Sequence, residues 1–292
     1  MNVFARSWKL AKLSFGVIWK DKEILAYPIV GGILGIVLVG AILVLRLFNI
    51  IVSAFQGGAG AFQFIDILLV VIAYFGLVMI TVFTEACVVY TADKRLRGGN
   101  ATFFESVGAA LGKAPALIGW GIITGTVGLL LKILEKSVEK AKGVGKVLVL
   151  IITSILGMAW TVLTAFAVQG IMINAKGPFD SIKESMFLLK KTWGERLIRQ
   201  FGFGAVMFIF ALVGAVILVP LFILAFSVSD VLGVGIIVLA IFYFFVLMLV
   251  FEIAEDVYMT ALYIYATTGK TPEGFDQETM SGAFNREDAG KI

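Results

Sequence analysis

The chain has 292 residues, of which 60% are hydrophobic and only 15% are charged, and its mean hydropathy is +1.01. A water-soluble domain carries about 25% charged and roughly 45–50% apolar residues, so this composition excludes a soluble protein built on one core. The net charge of +4 comes from basic residues between long apolar runs, a pattern typical of loops that face anionic headgroups rather than of a nucleic-acid-binding surface.

Six apolar runs are long enough to cross a bilayer, whose hydrocarbon core of about 30 Å takes roughly 20 helical residues. The sequence therefore predicts an all-α, polytopic membrane protein with six transmembrane helices. The predicted spans are Ile24–Phe48, Phe64–Tyr90, Ala114–Leu131, Val147–Ile173, Phe201–Phe226 and Val231–Ala266. We expect no cleaved signal at the N-terminus, because basic residues punctuate it and no small-residue cleavage site follows a short apolar core.

Lysine and arginine are concentrated in alternate segments: the N-terminal segment, the second loop, the fourth loop and the C-terminal tail. The positive-inside rule then predicts a cell-membrane protein with both termini in the cytoplasm. The loop Lys132–Lys146 is predicted to lie outside although it holds five lysines. Its alternating Glu and Lys residues are typical of a solvated helical extension of the third span, and a partner or headgroup site is the alternative.

Three times along the chain, a short amphipathic basic segment leads into a pair of spans, which indicates an internal repeat. The predicted organisation is a single transmembrane domain at 1–267, with repeat units at 1–100, 101–178 and 179–267, and a polar cytoplasmic tail at 268–292. In the third lead-in segment, the apolar side chains on one helical face are Ile182, Met186, Leu189 and Trp193. That face suits a helix lying in the inner headgroup layer, and a cytoplasmic helix packed on loops is the alternative. The lysines predicted to contact anionic lipid are Lys9, Lys12, Lys183, Lys190 and Lys191.

Several short stretches carry a resemblance to a known family. The most specific are Trp120 in IGWGIITG, Trp160 in GMAWTVLT, Lys176-Gly177-Pro178 and Thr192-Trp193-Gly194. Over roughly residues 1–275 the chain resembles a prokaryotic family of six-span membrane proteins of unknown function. More distantly it resembles the membrane domain attached to some glycerophosphodiester phosphodiesterases. The resemblance implies a fold and not an activity, and where the family carries Pro and Glu at the end of the fourth span this chain has Gln169 and Asn174.

Acidic residues near the ends of the even-numbered spans are the candidate functional residues. They are Glu85, Glu252, Glu255 and Asp256, and Gln169 takes the comparable place in the middle repeat. The last three acids stand at i, i+3 and i+4, a spacing that predicts one common helical turn. Charged groups at membrane depth cost several kcal/mol unless they are paired or hydrated, so they mark function by default. The first interpretation is that they form ion pairs with the basic lead-in helices and fix those helices in place. A cation or proton site is the functional hypothesis, and a catalytic carboxylate pair is the remaining alternative. A crossing of about 20 residues places these groups near the inner interface rather than the midplane.

Glycines spaced four residues apart occur at Gly31 and Gly35 and again at Gly121 and Gly125. Such spacings let two helix backbones approach closely. We interpret both as close helix packing inside one bundle rather than as a dimer seam.

The chemistry available to the chain is restricted. The absence of histidine excludes Ser-His-Asp and Cys-His catalysis and histidine-bound metals, and one cysteine, Cys87, excludes a disulfide within the chain. We predict no catalytic residue, metal or cofactor. The leading interpretation is a non-enzymatic channel or transporter for a small solute, ion or lipid. The alternative is a structural membrane protein that scaffolds a complex or shapes the bilayer, and a lipid enzyme is the weakest reading. Expected partners are membrane lipids with anionic headgroups, with a homo-oligomer left open and no nucleic acid.

Overall fold

The computed structural model describes residues 3–55, 64–140, 144–192, 203–277 and 280. Every regular element in these ranges is helical, and six segments are long and apolar enough to cross a membrane. The predicted all-α architecture with six transmembrane helices is confirmed. The α-helices of the described ranges are α1 (Val3–Lys20), α2 (Ala26–Phe55), α3 (Phe64–Leu96), α4 (Phe103–Gly112), α5 (Ala114–Lys140), α6 (Val144–Leu163), α7 (Ala167–Asn174), α8 (Pro178–Thr192), α9 (Phe203–Val228) and α10 (Asp230–Thr268).

The helices extend beyond several of the predicted span ends. α2 continues to Phe55 rather than stopping at Phe48, and α3 continues to Leu96. α5 continues to Lys140, so the predicted helical extension of the third span is confirmed as far as that residue. In α3 and α5 the added residues are largely polar residues with good helix propensity, whereas those added to α2 are mostly apolar.

The fourth span is interrupted, which the apolar run at 147–173 did not predict. A turn at residues 164–166 separates α6 from α7. The hydroxyl of Thr164 donates to the carbonyl of Trp160 at 2.8 Å, and the backbone N–H of Phe166 donates to the Ser185 hydroxyl of α8 at 3.1 Å. A side chain from a later helix thus satisfies an N–H that the interruption frees, which is the requirement for breaking a helix in a buried setting.

α9 and α10 are joined through a single residue, Ser229. Its hydroxyl accepts a hydrogen bond from the N–H of Val231 at 3.3 Å, as an N-cap does. The turn is close: a Cβ on Gly233 would lie 2.2 Å from the ring of Phe226. The fifth and sixth spans therefore form a tight hairpin.

The three lead-in segments are all helical, as α1, α4 and α8. The threefold repeat, the position of these helices in a headgroup layer and the division into one domain and a tail remain predictions. The last part of the predicted tail, 281–292, lies outside the described residues.

The chain divides into two compact units. Unit 1 comprises Met1–Leu25, Thr91–Thr102 and Phe187–Ile292, and unit 2 comprises Ala26–Tyr90 and Phe103–Met186. α3 and α8 each contribute residues to both units.

In unit 2, small residues let long helices touch. A Cβ on Gly31 would lie 2.6 Å from the Thr84 hydroxyl oxygen, and one on Gly121 would lie 2.6 Å from the Met79 sulfur. The hydroxyl of Tyr74 donates to the carbonyl of Gly125 at 2.8 Å. The predicted use of these glycines for packing inside one bundle is confirmed.

In unit 1, aromatic rings join α1 to the last hairpin. Trp8 stacks on Phe210 with ring centroids 6.0 Å apart, and Phe15 meets Phe251 edge-on at 5.3 Å. The hydroxyl of Tyr243 on α10 donates to the carbonyl of Phe210 on α9 at 2.8 Å. α1 thus buries one face against α9 and α10, and Lys12 lies on its exposed side.

Candidate functional site

The three acids of the last span lie on one helical turn of α10 in unit 1. Glu252 is exposed, and Glu255 and Asp256 are half-buried. Their i, i+3 and i+4 spacing on a continuous helix is the one that the sequence predicted. The neighbouring Phe251 and Ile253 are buried, so the carboxylates emerge from the edge of a packed core.

The distance of this turn from the start of α10 can be compared with the thickness of a bilayer. Glu252 comes 22 residues after the helix start at Asp230, which corresponds to a rise of about 33 Å. At the average tilt of about 20° the projected rise is about 31 Å, equal to the hydrocarbon thickness of about 30 Å. If Asp230 marks one membrane surface, the acids lie at the other.

Glu85 and Gln169 belong to unit 2, so the acids of α10 and these two residues lie in different units. Glu85 is half-buried on α3. Gln169 on α7 is 1% exposed, and its side-chain oxygen has no hydrogen-bond partner among the described residues. A site shared by Glu85 and Glu255 therefore stays a prediction.

The lysines predicted to contact lipid have different surroundings. Lys9 forms an ion pair with Asp276 at 2.9 Å in unit 1, and Lys183 lies 3.6 Å from Asp180 on the exposed side of α8. Lys12 and Lys190 are exposed. The side chain of Lys191 lies outside the described part of the chain.

A buried ion pair in unit 1 was not predicted. Asp21, at the end of α1, is 4% exposed and lies 3.1 Å from the Arg95 guanidinium, which also contacts Asn100. Residues after α10 cover the same region: the N–H of Glu273 donates to the carbonyl of Leu96 at 2.9 Å. Three segments far apart in sequence meet here, and neither hydropathy nor spacing signals such a meeting.

Unit 2 contains a cavity that the sequence also did not predict. Its volume is about 510 Å³, and the helices that enclose it are α2, α3, α4 and α5. The walls are apolar side chains such as Leu34 and Leu117, and the single cysteine, Cys87, is among them. The polar side chains of the lining are Tyr27 and Thr84, and the hydroxyl of Thr84 donates to the carbonyl of Ile80 at 2.7 Å. Because most members are ordinary aliphatic residues of membrane helices, they have no distinguishing spacing.

Unit 1 thus carries the acid turn (Glu252, Glu255 and Asp256), and unit 2 carries the buried Gln169 and the apolar cavity. The family of unknown function DUF6159 matches residues 61–275, which is well over half of the chain. The chain belongs to this family. The DUF6159 match runs from just before α3 to Phe275, a buried residue that follows α10. It includes all the candidate acids and three of the four helices around the cavity, and α2 lies before it.

No curated protein matches the chain. The more distant likeness to the membrane domain of glycerophosphodiester phosphodiesterases therefore has no support from these comparisons, and membership of DUF6159 implies no activity. Among the described residues, no three His, Cys, Asp or Glu side chains are grouped so that they could hold a metal ion.

Proposed function

We propose that this membrane-spanning protein is a non-enzymatic transporter of lipid, and that it takes a lipid acyl chain into the cavity of unit 2. The supporting observation is the cavity itself, about 510 Å³ and lined by α2, α3 and α5, which are long enough to cross a membrane, and by the shorter α4. Ligand sites in proteins have volumes of roughly 300–1,000 Å³ and mostly apolar walls. A single chain is therefore an occupant of suitable size and polarity.

The walls favour an acyl chain over a polar solute or an ion. A polar group moved against apolar walls loses its water hydrogen bonds, at a cost of roughly 2–7 kcal/mol for each unsatisfied group. An acyl chain that enters from the bilayer loses no hydrogen bond, because lipid and leucine side chains are similarly apolar. Of the solute, ion and lipid alternatives, the cavity supports lipid.

Photocrosslinking of the purified protein tests this proposal. A phospholipid with a photoreactive group in its chain should label peptides of α2 to α5. Leu34→Trp fills the lining, whereas Ile33→Trp places the same ring on the adjacent residue, which is equally exposed but outside the lining. We expect Leu34→Trp to lower labelling and lipid transfer between vesicles several-fold and Ile33→Trp to leave both unchanged. Equal labelling of the two variants would contradict the proposal.

A second candidate function, cation or proton transport, is supported by the acid turn. Like charges within one helical turn disfavour joint ionisation, so Glu252, Glu255 and Asp256 call for compensation by basic side chains, a bound cation or a proton. The variant Glu255→Gln with Asp256→Asn should then fold and show altered ion flux in liposomes, whereas Asp230→Asn at the other end of α10 should not. Unchanged flux in a folded double variant beside a conducting wild type would remove this candidate. A wild type that shows no lipid transfer and no ion flux would favour the scaffold alternative.

We propose further that both termini are cytoplasmic and that α8 contacts the anionic inner leaflet. Its exposed side chains combine Phe179, Met186 and Phe187 with Lys183 and Lys190. Each basic residue near an anionic surface contributes about 1 kcal/mol. Replacing both lysines by glutamine should remove most of the extra thermal stability that nanodiscs of anionic lipid give over neutral ones. A stability gain unchanged by the substitutions would contradict the contact.

A further inference from the structure

The lining of the cavity lies towards one surface of the membrane. From α2 it takes residues within the first nine positions, and from α5 it takes Ala114, Leu117 and Ile118 at the helix start. An ion pair with the start of α3 marks the opposite end of α2: Arg46 lies 2.6 Å from Asp66, which is 5% exposed. Arg46 comes 12 residues after Leu34, a rise of about 18 Å. The cavity therefore belongs to the leaflet in which α2 and α5 begin.

A lysine stands beside the lining at that surface. Lys113 is the single residue between α4 and α5, with the lining residues Leu111 and Ala114 on either side. It is half-buried, and its carbonyl accepts the N–H groups of Ala116 and Leu117 at the start of α5. The junction of the two helices thus holds the backbone of a lysine beside the cavity, at the end where α5 begins.

Acidic groups also flank the cavity, and at least one of them accepts a hydrogen bond from another side chain. Glu105 lies between the lining residues Phe103 and Val107, and its carboxylate accepts a hydrogen bond from the Tyr90 hydroxyl at 2.8 Å. Lys113 is the basic residue closest in sequence to the lining. Lysine binds phosphate as a compact point charge with three donors.

We infer that the cavity selects a lipid with a phosphate-containing headgroup, with its chain between α2 and α5 and its phosphate at Lys113. This inference rests on the proposed lipid function and adds the headgroup class and the leaflet of entry. A diacylglycerol with the same chains fills the cavity equally but offers Lys113 no anion. The phosphate should strengthen binding about five-fold, the equivalent of the roughly 1 kcal/mol that one basic residue contributes beside anionic headgroups.

Lipid titrations of the purified full chain in neutral detergent, followed by native mass spectrometry, test the inference. The probes are phosphatidylglycerol and diacylglycerol with identical chains. We expect Lys113→Gln to lower phosphatidylglycerol affinity about five-fold, to leave diacylglycerol affinity unchanged, and to be rescued by Lys113→Arg. Lys132→Gln is the matched control, because Lys132 lies on α5 about 27 Å beyond the start of that helix at Ala114, over the Tyr74 ring.

The outcomes separate the inference from the function on which it rests. Equal affinity of the wild type for the two lipids, or wild-type phosphatidylglycerol binding by Lys113→Gln, overturns the headgroup assignment while leaving the cavity as a chain-binding site. Binding of neither lipid by the wild type overturns the proposed function itself. Inorganic phosphate at millimolar concentration should not displace phosphatidylglycerol, and full displacement would show a free-phosphate site instead of a lipid site.

Discussion

The two halves of α10 belong to one predicted apolar run but have different surroundings. Between Asp230 and Val250 most side chains are exposed, with Ile241 at 65% and Phe242 at 63%. From Val257 to Ile264 every residue is buried. The first half is a surface for lipid, and the second half is the centre of a protein core in unit 1.

The difference shows in the polar residues. Residues 231–250 have a single polar side chain, Tyr243, whereas residues 251–264 contain the three acids, Thr260 and two tyrosines. The hydroxyl of Thr260 donates to the carbonyl of Asp256 at 2.7 Å. A lipid-facing surface supplies no hydrogen-bond partner, but a protein core does, so polar residues accumulate in the part that is packed. The polar content of an apolar run therefore separates lipid-facing from core-forming segments better than its length does.

The largest effect should come from the buried ion pair near the packed end of unit 1. Arg95→Met leaves the Asp21 carboxylate, 4% exposed, without the guanidinium 3.1 Å away. Breaking a buried pair on one side costs about 3–5 kcal/mol. We expect that loss in the free energy of unfolding, measured by denaturant titration in micelles.

The control for this variant lies two residues away. Arg97 pairs with Asp93 at 2.7 Å, but its side chain is 48% exposed. Exposed pairs contribute about 0–1 kcal/mol, so Arg97→Met should change stability little. Similar losses for the two variants would mean that this end of unit 1 is not a packed core.

The next effect separates the two halves of α10 directly, with one leucine from each. Leu262 is 1% exposed and Leu239 is 49% exposed. Leu262→Ala leaves a cavity in a packed core and should cost about 3 kcal/mol of unfolding free energy. In Leu239→Ala, lipid chains fill the space of the shortened side chain, so the loss of unfolding free energy should be less than about 1 kcal/mol. Equal losses of unfolding free energy for the two variants in the same nanodiscs would show that the two halves of α10 are equally packed.

The features visible in the sequence are those set by local patterns. Six apolar runs predicted six spans, and the spacing of Glu252, Glu255 and Asp256 predicted their common helical turn. The cavity and the Asp21–Arg95 pair depend on which helices become neighbours. Hydropathy carries no information on that choice, because all apolar faces are equivalent partners in lipid.

The break in the fourth span separates an exposed half from a buried half within unit 2. The Ser185 hydroxyl accepts a backbone hydrogen bond at this break. Ser185→Ala removes the acceptor of the Phe166 N–H and should cost about 1 kcal/mol. Ser227 is a matched control, since its hydroxyl bonds an exposed carbonyl of its own helix. Thermal unfolding should show a loss for Ser185→Ala and little change for Ser227→Ala. Unchanged thermal stability of Ser185→Ala would show that the break in the helix does not need the Ser185 hydroxyl.

The smallest expected effect is a gain, at the residue that ends the buried half of the fourth span. Ala175 has a left-handed backbone with φ 52°, whereas glycine holds the corresponding conformation at Gly98 after α3 and at Gly269 after α10. A left-handed residue with a side chain costs about 1–2 kcal/mol, and Ala175→Gly removes that cost. The substitution also raises the conformational entropy of the unfolded chain, which reduces this gain by about 0.4–1 kcal/mol. The net gain should be about 0.5–1 kcal/mol, measured as a raised midpoint of thermal unfolding. Gly269→Ala should change stability in the opposite direction, and a stabilising effect of both substitutions would contradict the backbone explanation.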